Sequence, residues 1–330
     1  MTAWDFVLGV SGYVRDTPHD HDPTAFVFAP SPLLTITIEP GRRDDEIHLH
    51  PGGQGVWLAR MLVVLGVPTS LCATFAGEAG HVIEALVNHE GISTTSSVTT
   101  PGTSGVYVHD RRDGARVKVA EMASDPLHRH ELDEFYGAAF ATAMSADVAV
   151  LGGPSAPNVL PPDTYERMAA DLRANDKTVV ADLSGDELKA VVAGGVTVLK
   201  VSNAELRDGG WVDGDNECTT VDAMRTLAAA GADNVVVSQA ERHVLALLAD
   251  GRLVRTTGPT VHPLDERGAG DSLTAGIAAT LARGDAIEDG LRLGVAAGSL
   301  NVTRRGLATG RRGDIERLAT HVTIEEVDNA

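Results

Sequence analysis

Cysteine, aromatic side chains and positive charge are all in short supply in this 330-residue chain. The two cysteines, Cys72 and Cys218, lie far apart and without metal-ligand spacing. That excludes a disulfide scaffold and a cysteine-based zinc site, and it suits a reducing compartment. Aromatics make up 4% of residues, so the interior has to be built from Ala, Val, Leu and Gly, which favours helices packed tightly on a sheet. Lys and Arg number 27 against 46 Asp and Glu, a net charge of −19. A nucleic-acid backbone is a poor partner for such a chain, and an anionic substrate has to be met by local positive groups. No apolar run approaches the roughly 18 residues needed to span a bilayer. The opening MTAWDFVLGVSG has no basic n-region, so the expectation is a cytoplasmic protein with no membrane partner.

What is present is enough apolar residue, 43%, for a substantial core. Residues 1–31, polar and with several Pro and His, read as an irregular N-terminal extension. Two pairs of short alternating segments follow, 33–50 and 104–121, the second turning at Asp113-Gly114, a strong hairpin signal. From residue 147 onward, apolar runs such as DVAVLGG, TVVADLSG, TVLKVS and NVVVSQA alternate with helical stretches of about a dozen residues. The last third is helical over 271–283, 286–300 and 313–320. This rhythm predicts an α/β fold of three layers, a mostly parallel sheet with helices on both faces. The two early pairs do not fit the rhythm and are expected to form a small β flap over one edge, inserted in a single domain spanning 1–330.

The stretch LDERGAGDSLTAG (264–276) sets Gly268, Ala269 and Gly270 before Asp271 at a helix start. Small residues there let backbone N–H groups converge on one spot, where the helix dipole also favours an anion. An acid in the first turn beside such a hole is the arrangement needed to move a phosphoryl group onto a hydroxyl. Read alone, the run is equally an ordinary loop with Asp271 as N-cap. A second cluster, Gly52, Gly53 and Gly55 in HPGGQGVWLARML, again precedes an amphipathic helix. Two such clusters, one early and one late, are the rarer combination.

With these segments in order, residues of about 32–320 resemble the ribokinase or PfkB family of carbohydrate kinases, nearest its 1-phosphofructokinase and tagatose-6-phosphate kinase branch. PGGQGVWLARMLVVLG resembles the first family signature and DERGAGDSLTAGIAATLARG the second; VVADLSG, VLKVSNAEL and NVVVSQAERHVLALL fall between them in family order. The resemblance implies a three-layer ribokinase-like fold whose flap is a lid over the sugar. It also implies Asp271 as base, the amides of Gly268, Ala269 and Gly270 as anion hole, and ATP with Mg2+ as donor. Gly52, Gly53, Gln54 and Asp44 fall on the sugar side. Lys200, Ser202, Glu205, Ser238 and Asn301 fall on the nucleotide side, with Glu205 touching Mg2+ only through water.

Departures from the family pattern are concrete. Gln54 stands where the signature has Lys and Trp57 where it has Asn. An early NPxxD is matched to EPGRRDD, with Asp44 one residue late. TSGVYV replaces the phosphate-gripping TRTN, leaving Arg42, Arg43, Arg111 or Arg112 as substitutes, or as a solvated turn. Ser202 takes the place of Asn in KPNxxE, and Ala240 and His243 replace both glycines of SxGxxG. Glu205 is equally a helix-capping acid, and Lys200 a strand-end charge. The acceptor is then a small sugar or sugar phosphate, and a homodimer through the lid is compatible with the apolar face of DEIHLH. Two other readings stay open: a non-catalytic nucleotide- or sugar-binding homologue, suggested by the altered nucleotide segments, and a nucleoside-type kinase, suggested by the missing phosphate grips. The intact GAGD favours the carbohydrate kinase.

Overall fold

The computed structural model describes residues 21–94, 102–154, 158–214, 216–239, 243–304 and 306–327. The chain opens with β1 (Ala25–Phe28), β2 (Leu33–Pro40), β3 (Asp45–Gly52), α1 (Gln54–Val64), β4 (Thr69–Cys72), α2 (Gly77–His89) and β5 (Ser93–Thr94). Then come β6 (Gly105–Asp110), β7 (Val117–Met122), α3 (Arg129–Ala143), β8 (Val148–Gly152), α4 (Asp163–Arg173), β9 (Thr178–Asp182), α5 (Gly185–Gly194) and β10 (Val196–Ser202). The rest is α6 (Asn203–Asp208), α7 (Glu217–Ala230), β11 (Ala232–Ser238), β12 (Val244–Leu247), β13 (Leu253–Thr257), α8 (Ala269–Ala282), α9 (Ile287–Val302), α10 (Arg312–Ala319) and β14 (Thr323–Glu326).

A ten-stranded sheet runs in the order β14-β13-β12-β11-β10-β9-β8-β1-β4-β5. From β5 to β11 every pairing is parallel, and β12, β13 and β14 close the far edge antiparallel. The central strands read as unbroken apolar runs because helices cover both of their faces. Alternate side chains go to opposite sides: Val148 and Val150 join a core with Leu58, Ile277 and Ala297, whereas Ala149 and Leu151 join Phe28, Tyr165 and Met168 on the other face. The expected three layers are therefore present.

One expectation is corrected here. The extension read over 1–31 contains β1, whose four residues, AFVF, are buried between β4 and β8. Four apolar residues between polar, Pro-containing stretches are too short to show a period, and a strand buried on both faces has no alternation to show. Residues 1–20 of that extension lie outside the described residues.

The four-stranded second sheet, ordered β3-β2-β6-β7, is made from the two early segment pairs. Its hairpins β2–β3 and β6–β7 are antiparallel and are joined by a parallel β2–β6 contact. Among the described residues no helix is long and apolar enough to cross a membrane.

Helices α8 and α9 pack with their backbones nearly touching: a Cβ on Gly276 would lie 2.4 Å from the Gly294 Cα. Backbone cannot yield as a side-chain tip can. Gly276→Ala is therefore expected to cost about 1–3 kcal/mol or more of stability, read as a lowered urea midpoint with unchanged helix content.

Candidate active site

The amino end of α8 lies at the carboxyl ends of the parallel strands, the edge of an open α/β sheet where crevices form. Its N-cap, Gly268, has φ 75°, a left-handed conformation that glycine adopts freely and that turns the chain into the helix. The amides of the first turn have no intrahelical acceptors. Directly beneath them, Lys200 from the end of β10 points its ammonium at the helix: a Cβ on Gly270 would lie 2.7 Å from Lys200 Nζ. The second glycine of the run thus leaves the room that the Lys200 ammonium occupies.

Lys200 Nζ donates to Asp182 Oδ1 at 3.1 Å, and Thr274 Oγ1, one turn into α8, donates to Asp182 Oδ2 at 2.7 Å. Both Asp182 oxygens accept, so the carboxylate is fully occupied at zero exposure. Burial pushes the Asp182 pKa up and Lys200 opposes that shift. Burial also acts to lower Lys200, but Asp182, Glu205 and Asp271 outweigh it and hold the ammonium protonated. Asp271 is buried as well, at 8% exposure. Desolvation, then the charge of Asp182, push its pKa from 3.8 up to about 7, with Lys200 pulling in the opposite direction. A carboxylate poised near neutrality can accept a proton and later give it up.

Glu205 stands in the capping box of α6. Its Oε2 accepts from Ser202 N and Ser202 Oγ, both at 2.7 Å, while Ser202 Oγ accepts from Glu205 N at 3.2 Å. Ser202 faces Ser238 across the β10–β11 register, so two hydroxyl side chains end neighbouring strands. Asn301 is the residue expected on the nucleotide side at the end of α9. Fully buried, it donates from Nδ2 to the Arg267 carbonyl and accepts on Oδ1 from Ala308 N, both at 2.7 Å. Both ends of its amide are used in pinning the peptide just before Gly268. Ala240 lies outside the described residues.

On the other side, α1 packs beside α8 and also starts at the carboxyl edge. Gly53 is its N-cap, and Gln54 Oε1 accepts from Gly153 N at 2.7 Å, tying α1 to the exit of β8. Gly52, Gly53 and Gln54 therefore lie together at the start of α1, against the exit of β8. Asp44 does not. Register pairs Asp45 with Pro40 and Leu33 with Gly52, which leaves Asp44 exposed in the turn at the far end of the hairpin, about 23 Å along the ribbon from Gly52.

Residues 34–312 match the pfkB family carbohydrate kinase. The chain belongs to that family. A 1-phosphofructokinase of Bacillus subtilis (strain 168) is 27% identical over 267 residues, 79% of this chain and 84% of the relative. An ATP-dependent 6-phosphofructokinase isozyme 2 of Mycobacterium tuberculosis (strain ATCC 25618 / H37Rv) is 28% identical over 271 residues, 81% and 78%. The fold is shared with phosphofructokinase-2 from Escherichia coli solved with potassium, at a TM-score of 0.79 and 20% identity over 90% of this chain and 98% of that one. It is shared too with Arabidopsis thaliana ribokinase complexed with ribose and ATP, at a TM-score of 0.71 and 18% identity over 91% and 99%. As a pfkB carbohydrate kinase the protein is a phosphotransferase with an alcohol group as acceptor and ATP as donor.

Two site residues escape sequence reasoning, Asp182 and Thr274. The available signal is an acid closing the strand TVVAD, whose last four residues are buried, a place where an unpaired charge is prohibitively costly.

The folded state holds the Asp271 proton more tightly than the unfolded chain does. The stability this confers is present below about pH 4 and is lost as pH rises through about 7. Asp271→Asn is therefore expected to raise the urea midpoint at pH 8, by on the order of a few kcal/mol at most, with the gap narrowing toward pH 5. A gap independent of pH would contradict the raised pKa.

Proposed function

We propose that the protein transfers the γ-phosphoryl group of ATP to a primary hydroxyl of a sugar or sugar phosphate, in phosphofructokinase fashion, with Asp271 as general base. The observation that carries this reading is a buried carboxylate of near-neutral pKa at the open amino end of α8, with a protonated lysine beneath the same turn. In the reaction the acceptor O–H bond breaks and its proton passes to Asp271. The acceptor oxygen bonds to the γ-phosphorus, and the bond from that phosphorus to the bridging oxygen breaks to release ADP. The amides of Gly268, Ala269 and Gly270 would stabilise the migrating phosphoryl group, and Lys200 adds fixed positive charge beside them. Gly52, Gly53 and Gln54 form the acceptor side, and Ser202 and Ser238 the nucleotide side.

Among the described residues no group of three or more His, Cys, Asp or Glu is gathered to hold a metal ion directly. Asp182 has both oxygens engaged and Glu205 has Oε2 engaged. This donor set fits Mg2+ carried on the ATP phosphates and reached by Glu205 through water, since Mg2+ commonly keeps several waters and few carboxylates. Bound there, the ion would neutralise charge on the transferring phosphates.

We read residues 1–330 as one kinase domain in which the small sheet is a lid. Arg111 of that sheet donates to Asp265 at 2.8 Å, in the loop leading to Gly268, so closing the sheet and shaping the anion hole are mechanically linked. A closed lid keeps water from competing with the acceptor. Its outer face exposes Ile47, Leu49, Val117 and Met122, which fits a homodimer formed lid to lid. That neither Cys72 nor Cys218 forms a disulfide, together with dependence on ATP, suits the cytoplasm.

Asp271→Asn is expected to lower acceptor-dependent ADP release by about 100-fold or more while ATP binding, followed by calorimetry, is retained; full turnover in that variant removes the base assignment. The double substitution Ile47→Asp and Leu49→Asp is expected to convert a dimer to a monomer in light scattering, and an unchanged mass would place any dimer contact elsewhere.

A further inference from the structure

One arginine holds backbone beside both glycine-led helix starts. Arg60, midway along α1, has 15% of its side chain exposed. Its Nε and Nη2 grip the carboxylate of Glu90, the C-cap of α2, at 2.6 and 2.8 Å. The same Nη2 donates to the Pro51 carbonyl at 3.1 Å, and Nη1 donates to the Leu307 carbonyl at 2.8 Å. Glu90 accepts from two nitrogens and so fixes the guanidinium plane, which keeps the other N–H groups aimed at the two carbonyls.

A peptide group is planar, so a bond to its carbonyl also sets the direction of the N–H that follows. The Pro51 carbonyl shares its peptide with the Gly52 N–H, on the acceptor side. The Leu307 carbonyl shares its peptide with the Ala308 N–H, which donates to Asn301 Oδ1 at 2.7 Å. Asn301 Nδ2 donates in turn to the Arg267 carbonyl, again at 2.7 Å, and that peptide carries the Gly268 N–H. Arg60 therefore reaches Gly52 through one peptide, and Gly268 through a relay of the Leu307–Ala308 peptide, Asn301 and the Arg267 carbonyl. The relay lies directly against the start of α8: a Cβ on Gly268 would be 3.4 Å from Ala308 N and 3.5 Å from Asn301 Nδ2. Ala308 is wholly buried and has φ 52°, a left-handed conformation that is costly for alanine and persists only where the surroundings impose it. The peptide entering Ala308 is held at both ends, by Arg60 and by Asn301.

We propose that Arg60 is a positioning residue for phosphoryl transfer, which aims the Gly52 and Gly268 amides together and so sets the acceptor side against the anion hole. The proposal rests on the reading of the Gly268 amide as part of that hole, whereas the relay can be observed without turnover. A purely structural tie needs only the ion pair with Glu90. Lysine can keep that pair, but one ammonium lacks the planar fork that reaches both carbonyls as well.

The test compares the full-length wild type with Arg60→Lys, Arg60→Gln, Asn301→Ser and the double variant Arg60→Lys with Asn301→Ser. Melting curves come first, then ADP release with fructose 6-phosphate, fructose 1-phosphate and fructose, and ATP affinity by calorimetry. Labelling with 13C at arginine carbonyls and 15N in glycine picks out the Arg267–Gly268 peptide by NMR, with Arg283–Gly284 at the other end of α8 as internal control. Arg60→Lys is expected to melt close to wild type yet to lower kcat about tenfold or more, with a smaller rise in acceptor KM and ATP affinity unmoved. Its Gly268 signal is expected to shift while Gly284 stays in place. Asn301→Ser is expected to lower kcat as well, and the double variant to be no slower than the slower single one, since both break one relay. If Arg60→Lys does not fold, Arg60→Gln is read in the same way. An unmoved Gly268 signal overturns the proposal, whatever the turnover, and leaves Arg60 as a tie to Glu90. Losses that multiply in the double variant overturn the relay. A shifted signal with full kcat overturns the proposal for a different reason: the relay exists, but the Gly268 amide takes no part in transfer, and the anion-hole reading falls with it. No ADP release from wild type with any of the three acceptors would count against the acceptor class proposed above, and the Gly268 signal would still decide the relay.

Discussion

Lys200 and Asp182 meet 3.1 Å apart at the ends of adjacent parallel strands, with no more than 6% of either side chain exposed. Removing two charges from water costs several kcal/mol for each, and a pair of this kind returns that only when geometry and extra hydrogen bonds are good. Here Thr274 supplies the extra bond to the carboxylate, and Gly270 leaves room for the ammonium. The pair does more than neutralise itself. Asp182 raises the proton affinity of Asp271 and Lys200 lowers it, so the poise of that carboxylate is the difference of two neighbouring fields on top of a desolvation cost. The helix amino end, the Asp271 carboxylate and the cation therefore form one electrostatic unit, and none of the three would have its present character without the other two.

The two glycine-led helices, α1 and α8, lie side by side and both open at the same sheet edge. Their starts are fixed by contacts that reach across the chain. Gln54 ties α1 to Gly153, and Asn301 ties the Arg267 peptide ahead of α8 to Ala308. The small sheet spans the gap above them, polar inward and apolar outward, with its tip held by the Arg111–Asp265 pair, in which Asp265 also holds Arg267. A sheet of this kind presents different chemistry on each face, because strand side chains alternate.

Much of the architecture was legible from local pattern. The parallel-sheet rhythm after residue 147, the two early pairs of short strands and the glycine-led helix starts all appear at the expected places. β1 was not legible, because four buried apolar residues carry no period. Asp44 was misplaced because a motif counted along the chain does not show which end of a hairpin a residue falls on, whereas register does. The amide of Asn301 is engaged by two backbone partners that no spacing reveals.

The sequence by itself determined the fold class, the family, and the placing of small residues before an acid at a helix start, since periodicity and glycine positions are local properties of the chain. Only the tertiary structure decided which charges meet. Thr274 and Asp182 are 92 residues apart and Arg111 and Asp265 are 154 apart, and the electrostatic character of each is set by burial and by neighbours that folding alone brings within hydrogen-bond distance.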